Sequence, residues 1–140
     1  MSRAEYNHDD SREYPAALWR GAVASSIRGL RGQALLRDLL AALDAMPVKE
    51  LVANELEANG SFCTLGAVCH AKGIDTKDID TEDYDHWRIL SKRLNIARPL
   101  VREIEYENDE GDWERAYNGR AESSAHRWER MRAWVVEQIK

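Results

Sequence analysis

Cys63, His70 and Asp109 are the residue types of a thiol hydrolase: a sulfur nucleophile, an imidazole base and a carboxylate to orient it. Cys63 falls just before a predicted helix starting at Thr64, and the positive end of a helix lowers a thiol pKa. His70 lies seven residues along the same helix, about two turns or roughly 10 Å up its axis. That is too far for a direct thiol–imidazole hydrogen bond, and nothing in the sequence brings His86 or His126 to the sulfur. The competing expectation makes Cys63 a small inward-facing core residue, with Gly66 a glycine because another segment crosses close by. The packing role is the reading adopted, and no catalytic residue is assigned. A Cys63-dependent hydrolase or transferase using His70 and Asp109 remains the minor alternative.

Metal chemistry has weaker support. Cys63, Cys69 and His70 miss the paired spacing of zinc ligands. The acids Asp75, Asp78, Asp80, Glu82, Asp83 and Asp85 lack the glycine of a calcium-binding loop. They read as a solvated linker that caps neighbouring helices, so neither a metal nor another cofactor is expected.

A nucleic-acid reading rests on residues 88–107. Ser91, Leu94, Ile96, Val101 and Ile104 match the apolar spacing of a helix-turn-helix, with Asn95-Ile96-Ala97 as the turn and Arg98 opening the second helix. That second helix carries Arg98 and Arg102, but also Glu103, Glu105 and Glu107, with Asp109 and Glu110 just beyond. Like charge facing phosphate would cancel the counterion-release contribution to affinity. A DNA-binding regulator is therefore the second alternative.

The run "NGSFCTLGAVCHAKG" followed by "EYENDE" and an amphipathic final helix carries a resemblance. The pattern is G-x-x-C-x-x-G-A, a helix, an Asn-Asp pair and a terminal helix, here Gly60, Cys63, Gly66, Ala67, Asn108 and Asp109. It resembles a group of small proteins of unassigned activity encoded by phages, prophages and some bacteria. Roughly residues 19 to 140 share the likeness, which extends to the N-terminal "WRGAVASSIRGLRGQALLRDLLAALDAMP" of the longer members. It implies a phage or prophage origin and an accessory role in the host cytoplasm, and no catalytic residue. Read from its residue types alone, Asn108-Asp109 ends a helix: Asn tolerates the left-handed conformation there, and Asp accepts from local backbone N–H groups.

The elements that must position these residues follow from periodicity and punctuation. Residues 1–13 are polar and expected to be flexible, and Pro15 suits the first turn of a helix. Leu18, Trp19, Ala22, Val23 and Ile27 predict a helix over about 16–28, loosened by Gly29 and Gly32. Leu35, Leu36, Leu39, Leu40 and Leu43 predict the next, from Gln33 to Pro47. Asn59-Gly60 is a hairpin signal, with strands expected over about 50–56 and 61–64. Helices are then expected over 64–72 with Gly73 as a stop, from a Thr81 cap to Leu94, over 98–108, and from Ser123 or Ser124 to the end. The fold class is α+β and mostly helical, about five helices with one small antiparallel hairpin near 50–64, all within one domain over 14–140.

Composition sets the outer bounds. The chain has 140 residues, 44% hydrophobic and 32% charged, and a net charge of −5. It has apolar content enough for a core, no run long enough to span a membrane, and a balance that disfavours nucleic acid. Two cysteines behind a polar start predict reduced thiols in a cytoplasm. Residues 19 to 37 hold Arg20, Arg28, Arg31 and Arg37 and no acid, and the final helix adds Arg127, Arg130 and Arg132. This segregation of charge suits orientation toward a protein partner. Contact is expected on the acidic segment from Glu103 to Glu114 (Glu103, Glu105, Glu107 and Asp109, with Trp113 as an anchor beside Tyr117) or on the arginine face around Arg28 and Arg31. The functional expectation is a non-catalytic accessory protein that binds a host or phage macromolecule, in one version inhibiting a nucleic-acid-handling or defence protein. A homodimer through exposed aromatics stays open.

Overall fold

The structure is a computed structural model and describes residues 16–110 and 121–140. The expected N-terminal segment and Pro15 lie outside the described residues. Helix α1 spans Ala16–Arg28 and α2 spans Leu30–Ala45. Trp19, Val23 and Ile27, four residues apart, form the buried stripe of α1, while Leu18 turns outward. The second helix begins three residues earlier than its leucine pattern alone predicts, so Gly32 lies within its first turn. The reason is a close approach: a Cβ at Gly32 would stand 1.8 Å from the Ser26 carbonyl oxygen. Glycine here lets the first turn of α2 press against the last turn of α1. Buried Gln33 completes the joint, donating through Nε2 to the carbonyls of Ile27 at 2.7 Å and Gln138 at 3.0 Å.

Strands β1, Glu57–Ala58, and β2, Ser61–Phe62, pair antiparallel around Asn59-Gly60. Both turn residues have positive φ, 52° and 83°, as a tight hairpin of this hand requires. The first strand forms at Glu57–Ala58, after the expected 50–56. That stretch keeps only single bonds to the second strand's side, Val52 N–H to the Phe62 carbonyl and Cys63 N–H to the Leu56 carbonyl, because other backbone groups of 50–56 bond elsewhere. Leu51 N–H donates to the Ser124 carbonyl, and Asn54 N–H donates to the Asp109 side chain. Leu51 and Leu56 still point into the core.

Helix α3, Thr64–Ala71, closes with the expected glycine stop. Gly73 takes φ 70°, its N–H donates to the His70 carbonyl, and Ile74 N–H donates to the Cys69 carbonyl, two bonds that satisfy the helix end. Helix α4, His86–Leu94, starts later than the Thr81 cap predicts. The acids before it fold into local turns instead, with Asp75, Asp80 and Asp83 each accepting from the N–H two residues on. Asn95 then ends α4 in the left-handed conformation.

Helix α5, Arg98–Glu110, runs past the expected stop at Asn108, and α6 spans Ser124–Gln138. The Ser123 hydroxyl caps α6 by accepting from His126 N–H at 3.1 Å. The described residues thus hold six helices and one two-stranded hairpin, a mostly helical α+β fold. The count is slightly above the expected figure of about five, and each of the six segments read as helical along the chain is a helix.

One apolar cluster draws on every helix. Helix α5 lies at its centre, against α1, α3, α4 and α6, while α2 packs on α1, α3 and α6. Two arginines dock α6 onto the end of α5. Arg130 donates to the Glu107 and Asn108 carbonyls, and Arg127 donates to those of Asn108 and Leu51. Cations suit the negative end of a helix, and Glu122 holds both guanidiniums from the other side.

Candidate functional site

Cys63 is the N-cap residue of α3, and its Sγ accepts from Gly66 N–H at 3.3 Å. It is 7% exposed. Burial pushes its pKa up to about 12; the Gly66 N–H pulls the other way, and the carboxylates of Asp109 and Glu105 add to the rise. The helix end is present as expected, but loss of water outweighs it. His70 is not brought to the sulfur: it lies exposed near the far end of α3, its ring stacked on Phe62 at 4.7 Å. His86 is buried and engaged by Asp83 and Glu105. Among the described residues no imidazole bonds to Cys63.

Gly66 is glycine for the reason expected from the sequence. A Cβ there would lie 1.9 Å from the Leu56 carbonyl oxygen. That same oxygen accepts from Cys63 N–H at 3.2 Å, so hairpin and helix meet backbone to backbone.

Asn108 does not end its helix. Its side chain reaches across to α3 and uses all its hydrogen-bonding capacity. Oδ1 accepts from Thr64 N–H at 3.0 Å and from Thr64 Oγ1 at 2.8 Å, while Nδ2 donates to the Val52 carbonyl at 3.0 Å and to Asp109 Oδ1 at 2.8 Å. Asp109 Oδ1 in turn accepts from Asn54 N–H at 3.0 Å. Burial raises the Asp109 pKa, opposed by the Asn54 N–H and the Asn108 amide and reinforced by Glu105. Between Cys63, Asn108, Asp109 and Glu105 lies a cavity of about 20 Å³. Such a space holds one water, whereas small-molecule sites run to roughly 300 Å³ or more. Cys63, Gly66, Asn108 and Asp109, far apart in sequence, thus converge on one joint tying α5, α3 and residues 52–56 together.

The acidic contact segment is corrected in part. Glu103 is 8% exposed and Glu107 7%, because the central helix is covered on most sides. Only Glu105 and Asp109 of the four reach partial exposure, and Trp113, Glu114 and Tyr117 lie outside the described residues. Arg102, expected on a DNA-facing surface, is 2% exposed and lies between the rings of Trp19 at 5.0 Å and Trp87 at 4.1 Å. Helices α4 and α5 follow one another across the Asn95 turn and pack together, but most of the second helix is interior and only its first residues, Arg98 and Pro99, are half-exposed before Leu100.

The arginine face is where the sequence places it. Arg28 and Arg31 are exposed, and between them Leu30, at the joint of α1 and α2, is 93% exposed. Arg31 donates to Asn95 Oδ1 at 3.2 Å. Among the described residues no carboxylate pairs with Arg20, Arg28 or Arg31.

A wider groove of about 460 Å³ separates residues 54–59 from 76–82, with Glu55, Glu57, Asp80, Glu82 and Lys77 along it. Among the described residues no three metal-ligating side chains converge, and no helix is long and apolar enough to cross a membrane.

Sequence periodicity did not reveal the buried pair of His86 and Glu105, nineteen positions apart. The one available signal was a histidine just before an apolar stripe. Comparison with protein-family models, with curated proteins and with solved structures finds no match to this chain.

Proposed function

We propose that the chain is a non-catalytic accessory protein of phage or prophage type, working in the host cytoplasm, that binds a protein partner through the joint between α1 and α2. The observation that carries this reading is the exposed arginine face of Arg20, Arg28 and Arg31, which no carboxylate pairs with among the described residues, with Leu30, 93% exposed, between the last two. Arginine is enriched among the residues that carry binding energy in interfaces, and guanidiniums not neutralised within their own fold are available to an acidic partner. The partner surface complementary to it is acidic around an apolar depression. An inhibitor that lays an acidic helix into a phosphate groove has less support, since Glu103 and Glu107 are inside.

A photo-crosslinking residue in place of Leu30 tests this reading. One predominant protein adduct is expected, with its yield falling about tenfold in the Arg28→Glu/Arg31→Glu variant and at high salt. Adducts to nucleic acid would favour the regulator instead. Absence of any adduct, or one indifferent to charge reversal, would overturn the proposal.

A further inference from the structure

Both ring nitrogens of His86 face oxygen. Nδ1 lies 2.6 Å from the Asp83 carbonyl oxygen, and Nε2 lies 2.6 Å from Glu105 Oε2. A neutral imidazole has one N–H and can serve one acceptor. Satisfying both contacts takes one further proton, held between ring and carboxylate. Trp87 Nε1 also donates to Glu105 Oε2, at 3.2 Å. An indole only donates, so when Nε2 carries a proton this oxygen receives two converging N–H groups, the arrangement of a carboxylate beside an imidazolium. The His86 side chain is 3% exposed and that of Glu105 28%, so the ring nitrogens are shielded from water while the carboxylate is half-buried.

The ring joins two parts of the molecule. Asp83 belongs to the acidic stretch that forms one wall of the 460 Å³ groove. That stretch is held elsewhere by exposed polar contacts, Arg93 with Asp78 and the Asp75 carbonyl and the Thr81 hydroxyl donating to the Asn54 carbonyl, and by half-buried Ile79 packed against the core. Its aspartate turns are internal to the stretch. The buried tether at its end is His86.

We propose that His86 and Glu105 form a proton-operated latch, which holds the end of the acidic stretch against α5 while protonated and releases it, loosening the groove wall, when the proton leaves.

The charges around the ring favour this behaviour. Asp83 faces it from the acidic stretch and Glu105 from α5, with Asp109 one turn beyond Glu105; Asp85, just before α4, is occupied by Arg88 of that helix, and Arg102 lies across the Trp87 ring. Burial works against the charged ring, but the hydrogen bond and charge of Glu105, with Asp83 behind them, outweigh it and raise the His86 pKa above the ordinary 6.5. A folded-state pKa above the unfolded value means that the stabilisation is complete below about pH 6.5 and disappears as pH rises through the folded pKa.

Nitrogen-15 NMR of the histidine rings of the full chain between pH 5 and 9 reads the latch directly. His86 is expected to carry protons on both nitrogens up to a midpoint above 6.5, and Glu105→Gln to lower that midpoint by about one unit or more. Amide exchange, corrected for its intrinsic pH dependence, is expected to accelerate about tenfold in residues 76–86 through the same transition, with the α2 core unchanged. A wild-type ring that stays neutral with one N–H throughout, or a titration that leaves protection of 76–86 untouched, overturns the latch. The wild-type spectrum decides even where the Glu105 variant folds poorly.

Discussion

Gly66→Ala is expected to lower stability by about 3 kcal/mol, at the upper end of what overpacking costs. The added Cβ would stand 1.9 Å from the Leu56 carbonyl oxygen and 2.9 Å from its carbon. Both are backbone atoms, so no side-chain rotation relieves the contact. Moving residue 56 away would also break the Cys63 N–H bond to that oxygen and part the hairpin from α3. Gly21→Ala is the matched control. Gly21 lies within α1 with nothing within 4 Å of the added atom, and the change should raise stability by about 0.5–1 kcal/mol. Urea denaturation midpoints of the two variants, moving in opposite directions, check the argument.

Asn108→Leu should cost a similar amount, about 3 kcal/mol. The substitution keeps the side-chain size and strands the Thr64 N–H and the Val52 carbonyl in the interior, each worth about 1–3 kcal/mol when left unbonded. Asn108→Asp retains acceptors for Thr64 but places a second carboxylate against Asp109 in a buried site. Its loss should shrink as pH falls and the pair takes up a proton, whereas the Asn108→Leu loss should not follow that proton uptake. Denaturation at two pH values separates them.

Much of the architecture follows from local pattern. The leucines of α2, the Asn59-Gly60 turn, the helix starting at Thr64 and the Ser123 cap rest on periodicity, backbone sterics or capping chemistry, all of which act within a few residues. Where the local reading fails, a distant partner decides. Glu103 and Glu107 look like a solvated face because periodicity reports polarity, not which elements cover a helix. Helix α5 is covered on most sides, so its charged side chains go inside. Arg102 looks available to phosphate because neither Trp19 nor Trp87 is near it in sequence. Asn108 suits a helix end on residue type, yet its amide is engaged forty-four positions away by Thr64. Thr81 has the type for a cap, but its hydroxyl donates to the Asn54 carbonyl, and Asp80 and Asp83 on either side of it bond their own backbone. The candidate site divides the same way. Arg28 and Arg31 are legible because a run without acids leaves nothing nearby to neutralise them, whereas the His86–Glu105 pair needs the fold to exist.

The proposal of a non-catalytic role depends on the side chain of residue 63 serving as part of a joint and staying closed to reagents in the folded chain. In a Cys69→Ala background, alkylation of the remaining thiol by iodoacetamide reports this directly. Labelling of the folded chain is expected to be roughly a thousandfold slower than in urea and to accelerate only where the chain unfolds globally. Fast labelling of the native protein at or below neutral pH would show an open, ionised sulfur and contradict the account.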